Sequence, residues 1–295
     1  MNQLDGRILG AVPSPVDIRD YNISMFTPVA KAHASSFKLK FTEKIKDQGA
    51  IGSCVAHSLA YTREIAEEAQ TGTFKEFSVG FIYANRVGTV GDIFESEGMI
   101  PRDALQNLQK YGDVLLQDFP QNDKYPVVRD LLAARRDELY KMAEPYKITS
   151  YLRLYTVNEV QTALETLGAV TVMIPVYTSF NKVSASNPVV PIPNTAKESF
   201  LGYHEMTIVG WRDDNTYIVL NSYGDKWGDK GKCYLPYDYP ITELWSITDK
   251  LPLHWAEPYY YYLNKNGVTI HDRRFDDLIT RGEVMALLAR MKGYE

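Results

Sequence analysis

Apolar positions along the chain follow two regimes. Over residues 53–70 they recur at helical spacing, and Thr71-Gly72 supplies a stop. Residues 77–86 read as a second helix with Ser78 as its candidate cap. Residues 102–110 read as a third, closed by Tyr111-Gly112, and residues 123–142 as a charged fourth. The period then shortens. Residues 147–155 read as a strand, 157–167 as a short helix and 169–177 as a β-branched buried strand. Beyond a proline-rich loop at 184–194, residues 203–211, 216–220 and 232–236 read as three more strands joined by polar turns. Helices first and strands second predict an α+β fold of two lobes, with the cleft between them as the natural place for a site.

The two ends differ from this middle. Residues 1–45 hold Pro13, Pro15 and Pro28 and little helical pattern, which predicts an extended arm with a short strand at 37–41. Residues 249–295 hold Trp255, a run of four tyrosines at 259–262 and a helical stretch at 281–291. That unit is too short to bury a large core by itself. The expected domains are therefore an arm at 1–45, a main body at 46–248 and a small C-terminal unit at 249–295.

Composition narrows the classes. A chain of 295 residues with 45% apolar and 23% charged residues is an ordinary globular protein with room for about two domains. A net charge of −5 and the lack of a basic run argue against a nucleic-acid partner. No run of eighteen apolar residues is present, so no membrane span is expected, and the first residues carry no signal-peptide pattern. Location stays open. Two cysteines, Cys54 and Cys233, do not make a disulfide scaffold.

Candidate chemistry centres on residues 47–59, where the glycine-punctuated loop Asp47-Gln48-Gly49-Ala50-Ile51-Gly52-Ser53 runs into Cys54 at the start of a predicted helix. Unpaired amides at a helix start bias a thiol toward thiolate, and Gln48 could fold back to donate a hydrogen bond beside the sulfur. Alone, this stretch reads first as a small buried residue opening a core helix. A cysteine nucleophile needs a base, and the base needs an orienting group. His204 lies on an apolar strand pattern, and Asn221 ends the next, 17 residues on. If the strands are neighbours, the asparagine carbonyl can fix one ring nitrogen and leave the other facing the thiol.

These pieces together resemble the papain family of cysteine peptidases: Gln48-Gly49…Gly52-Ser53-Cys54…Ala56, Gly202…His204…Val209-Gly210, and Asn221-Ser222…Gly224…Trp227-Gly228…Gly231. Cys54 precedes His204 by 150 positions (204 − 54), in line with the roughly 130–150 known for such enzymes. Weaker echoes lie in Ser78…Phe81-Ile82-Tyr83, in residues 102–105 and in residues 169–180. Over residues 42–248 the resemblance implies a helical lobe followed by a barrel-like antiparallel lobe. It implies a peptide-bond hydrolase without cofactor or metal, acting on a peptide or protein substrate. Cys54 would be the nucleophile in an ion pair with His204, Asn221 the orienting group, and Gln48 with the Cys54 amide the oxyanion hole. Trp227 would pack near Asn221 and keep water from it. Gly98 would mark the edge along which a substrate backbone docks, although Glu97 stands where a second glycine is usual.

Departures are visible too. Val55 stands where a tryptophan is usual, Tyr223 where another aromatic shields Asn221, and Ile51 where a disulfide cysteine is common. The 47 residues ahead of Gln48 are fewer than the family's inhibitory propeptide, so the expectation is an enzyme without a zymogen step, or one held in check by a partner. His57, one turn beyond Cys54, and Cys233 read as structural, and His254 and His271 as surface residues. The C-terminal unit resembles one S-layer homology motif, through Trp255-Ala256…Asn266-Gly267-Val268…Arg274-Phe275-Asp276-Asp277…Thr280-Arg281-Gly282-Glu283. Such motifs bind bacterial cell-wall polymers, usually in threes, and imply a bacterial or phage source. The rival to wall binding is a tail docked on the body. Two alternatives to a general peptidase follow: a thiol-dependent hydrolase of wall peptides, and a non-catalytic papain-like surface or virion protein.

Overall fold

The computed structural model describes residues 3–4, 6–25, 27–86, 98–120, 122–249, 263 and 266–267. Apart from residues 249, 263, 266 and 267, the C-terminal unit with Trp255, Phe275, His254 and His271, on which its S-layer resemblance rests, lies outside the described residues, as does Glu97.

A two-residue hairpin, β1 (Gln3–Leu4) and β2 (Arg7–Ile8), opens the chain. The strand expected at 37–41 shortens to β3 (Phe37–Lys38). Helix α1 (Cys54–Thr71) ends where predicted, at Gly72 in the left-handed conformation with φ 69°. Every residue of α1 from Cys54 to Glu67 is buried, so this helix is the spine of the molecule. Helix α2 (Val79–Ala84) is capped by Ser78, whose hydroxyl accepts the Phe81 amide at 3.0 Å. Helix α3 (Pro101–Tyr111) starts on a proline that gives up no hydrogen bond there.

The single helix expected at 123–142 is two, α4 (Tyr125–Ala134) and α5 (Arg136–Ala143). The break falls at Arg135, with φ −127°, whose Nη1 donates to the Asp118 carbonyl at 3.0 Å. No proline or glycine marks that break in the sequence.

The strand-rich half holds β4 (Ser150–Arg153), α6 (Val157–Thr166), β5 (Val170–Tyr177), β6 (Phe200–Trp211), β7 (Thr216–Leu220), β8 (Lys232–Pro236) and β9 (Glu243–Thr248). A Thr156/Glu159 capping box starts α6. Sheet order is β4-β9-β5-β6-β7-β8, antiparallel throughout, with β3 pairing on the far end of β6. Strand β9 escapes the sequence pattern because all six of its residues are buried, Glu243 and Ser246 included. Without an exposed face it shows no alternation.

One core gathers Leu59, Phe81, Leu105, Val128 and Leu139 around the helices, and another gathers Val160, Val172, Ile208, Tyr217 and Leu235 on the sheet. Met173, Trp245 and Ile247 of the sheet belong to the helical core. The α+β, two-lobed expectation holds. Each such buried aliphatic side chain stabilises the fold by about 1.5–3 kcal/mol relative to exposure.

Candidate active site

Two elements carry the site, the N-terminal end of α1 and the edge where β6 meets β7. Gly49, at φ 55°, turns the chain before α1, and its amide is held by the Asp47 carboxylate at 2.9 Å. That turn puts Gln48 behind the helix start. Its backbone amide donates to Ser222 O at 2.9 Å, and its Oε1 accepts the Ser222 hydroxyl at 2.7 Å. Its Nε2 donates to the carbonyls of Ile51 at 2.8 Å and Ile8 at 3.0 Å.

Strands β6 and β7 are neighbours, with Thr207 opposite Leu220, so Asn221 just past β7 reaches back to His204. His204 Nε2 lies 2.7 Å from Asn221 Oδ1, which also accepts the Ser222 amide at 2.8 Å. An amide oxygen only accepts, so Nε2 carries the proton and Nδ1 keeps its lone pair. Nδ1 is buried and has no hydrogen-bond partner. The backbone amide of Glu205, the next residue, lies in hydrogen-bonding position to the Cys54 sulfur. Thus Gln48 and Cys54, from the start of α1, are brought beside His204 and Asn221, about 150 positions on. The Tyr223 ring covers His204, with ring centres 4.9 Å apart, and Trp227 stands edge-on to Tyr223 at 5.4 Å. Trp227 therefore packs one ring behind the position expected for it.

The arm crosses this site. The Gly10 amide is aimed at the Cys54 sulfur. The Gly10 carbonyl accepts the Met99 amide at 2.8 Å, and the Val12 amide donates to Met99 O at 2.9 Å. On the other side the Ala11 amide donates to Tyr203 O at 3.3 Å. The edge beside Gly98 is thus filled by residues 10–12. A Cβ on Gly10 would fall inside the radius of the Gly52 carbonyl oxygen, so only glycine fits. Arg7 donates to Tyr223 O at 3.0 Å, lies 4.7 Å over the Tyr223 ring and faces Asp47 at 3.8 Å. Further along, Arg102 holds Pro15 O and pairs with Asp20. The sequence marked residues 1–45 only as an extended arm and carried no signal of this path.

Under the arm Gln48, Cys54, His204 and Asn221 are each 0% exposed. Burial pushes the Cys54 thiol up to about 12, against the pull of the Glu205, Gly10 and Val55 amides. Burial also takes His204 down to about 4, despite its bond to Asn221. In this closed arrangement burial therefore disfavours both charged partners of the expected thiolate–imidazolium pair.

His57 is held on its own helix, with Nδ1 2.9 Å from Ser53 O, and burial takes it down to about 4. Cys233 is a buried free thiol opposite Val219. No cluster of three His, Cys, Asp or Glu among the described residues could hold a metal, and no described helix is long and apolar enough to cross a membrane.

A sequence model of the papain family cysteine proteases matches residues 32–240. The chain belongs to the papain family. Among papain-family relatives it is 30% identical, over 213 residues, to an uncharacterized peptidase C1-like protein of Acanthamoeba polyphaga mimivirus. The match covers 67% of this chain, which spans 65% of that relative's length. The fold is similar to xylellain, a cysteine protease from Xylella fastidiosa, with TM-score 0.70 and 24% identity over 84% of this chain and 98% of that one. It is also similar to digestive procathepsin L 3 of Tenebrio molitor larval midgut, with TM-score 0.59 and 20% identity over 78% and 76% of the two chains. At these identities the two structures share the papain fold with this chain.

Proposed function

We propose that residues 46–248 form a cysteine peptidase that cleaves peptide bonds through Cys54. The observation that carries this reading is the His204–Asn221 pair. Asn221 fixes the tautomer that leaves a buried, unpartnered Nδ1 beside the residue whose amide meets the Cys54 sulfur. In the reaction His204 Nδ1 takes the thiol proton, and the sulfur attacks the substrate carbonyl carbon. Gln48 Nε2 and the Cys54 amide hold the oxyanion. The C–N bond then breaks, and His204 returns the proton to the leaving amine. Water attacks the thioester, giving its proton to His204. The C–S bond breaks, and the acid and free thiol are released.

In this reading the arm is what holds the enzyme closed. The Ile8 carbonyl takes the Gln48 hydrogen that an oxyanion would use, and Gly10 lies on the sulfur. Leu4, Ile8 and Leu9, all at most 7% exposed, anchor the arm by about 1.5–3 kcal/mol each. No separate inhibitor is then required. Replacing Gly10 by valine forces the arm off Gly52, and a rise of about tenfold or more in hydrolysis of a mixed fluorogenic peptide library is expected. In that opened background Cys54→Ala is expected to abolish hydrolysis. Equal hydrolysis by Gly10→Val chains with and without Cys54 would sink the peptidase reading.

A further inference from the structure

Under residues 11–14 a row of side chains runs across the sheet. Glu205 of β6 pairs with Met173 of β5, and Met173 pairs with Glu243 of β9. Directly paired residues share a sheet face, so the three stand side by side. The arm spans the row: Ala11 is bonded to Tyr203, two residues before Glu205 on the same face, and the Ser14 amide donates to the Glu243 carboxylate. Glu205 is 1% exposed, and neither of its carboxyl oxygens makes a hydrogen bond of good geometry, the Thr171 hydroxyl alongside being the polar side chain that bears on it. Burial, then the nearby Glu243 charge, raises its pKa well above the ordinary range, against Thr171 and Arg153. Glu243 by contrast is held by Arg153 Nη1 at 2.6 Å and Trp245 Nε1 at 2.9 Å as well as by Ser14. A buried carboxyl so poorly satisfied is costly, and native folds seldom keep one without use.

We propose that, with the arm displaced, this row floors a specificity pocket in which Glu205 receives a lysine or arginine side chain of the substrate close to the scissile bond. This rests on the peptidase reading above. Departure of the arm strips Ser14 from Glu243, and Arg153 is then the cation pairing with that carboxylate. Arg102, the other cation over Trp245, is committed to Asp20. A lysine brings three donors and an arginine five, enough to satisfy Glu205 and the vacated Glu243 oxygen together. Met173 and Trp245, in one apolar cluster with Cys54 and Met99, give the aliphatic stem a surface to lie on. A leucine in the same place leaves the carboxyl unpaired, the situation in which polar pockets discriminate most strongly.

The test uses the full chain carrying Gly10→Val, with tripeptidyl chloromethyl ketones that bear lysine, leucine or glutamate at either of the two residues nearest the ketone. Intact-mass spectrometry gives the rate of Cys54 alkylation, and thermal unfolding checks that each variant is folded. The lysine probe is expected to react at least tenfold faster than the leucine probe at one of the two positions, with the glutamate probe slowest. Glu205→Gln, which keeps the shape, is expected to bring the lysine-to-leucine ratio to within about threefold of unity, and Glu205→Met to bring it below unity. A lysine-to-leucine ratio unchanged by Glu205→Gln, or a leucine preference in the Gly10→Val chain, overturns the pocket while leaving the peptidase standing. No alkylation of Cys54 by any peptidyl probe, where iodoacetamide still labels it, overturns the peptidase reading and the pocket with it.

Discussion

Asn221 Oδ1 accepts both the Ser222 amide and the His204 Nε2 proton, and this double duty fixes which ring nitrogen keeps its lone pair. In the Gly10→Val chain, Asn221→Ala is expected to lower kcat by about 10- to 100-fold with a smaller change in KM, part of the 10²–10⁴ that a positioned acid–base group contributes. Stopped-assay kinetics read the split. Two buried neutral histidines also set the pH response of the closed fold. Both His57 and His204 are taken down to about 4, whereas in the unfolded chain each titrates near 6.5. Between those values the unfolded chain binds more protons, so stability is fully present above about pH 6.5 and is lost as pH falls toward 4. The loss is on the order of 3 kcal/mol per histidine. Melting curves from pH 8 to pH 4.5 should fall steadily, and His57→Gln should flatten part of that fall. At this scale the glycine loop that carries Gln48 and Cys54 and the strand end that carries Asn221 were legible from local signals, whereas His204, inside β6, stood out only through the pattern it resembles. Glu205 was not, because an acid inside an apolar run says nothing of what faces it until the strands are paired.

Among the elements, those with local signals came through best. Helix α1 has a glycine at each end, α6 a capping box, and β7 and β8 clean turns. What failed depends on distant partners. The break at Arg135 comes with a bond to Asp118, seventeen residues away, and β9 lost its alternation to burial on both faces. Thr156→Ala removes the hydroxyl that accepts the Glu159 amide at 3.2 Å. It is expected to lower stability by about 0.5–2 kcal/mol, seen as an earlier urea midpoint with unchanged slope. Because α6 lies on the sheet core, away from Cys54, the alkylation rate of that thiol should not follow.

For the whole molecule, the decisive feature is that residues 7–14 complete the fold over its own cleft. Composition and periodicity describe an extended arm equally well wherever it lies, so its path was out of reach of the sequence. Only the packing of Gly10 on Gly52 and of Ile8 on Gln48 places it. The same packing couples the thiol to the arm, since burial is what pushes Cys54 up and His204 down. In the proposed function, lifting the arm is the step that readmits water, favours the charged pair and exposes the sulfur. The most direct measurement is to quench the Gly10→Val chain in acid during turnover of a peptide ester and map the trapped adduct. A thioester on Cys54, absent from Cys233 and from the Cys54→Ala chain, is the expected result. Sustained turnover by Cys54→Ala, or turnover with no acyl group on Cys54, would contradict it.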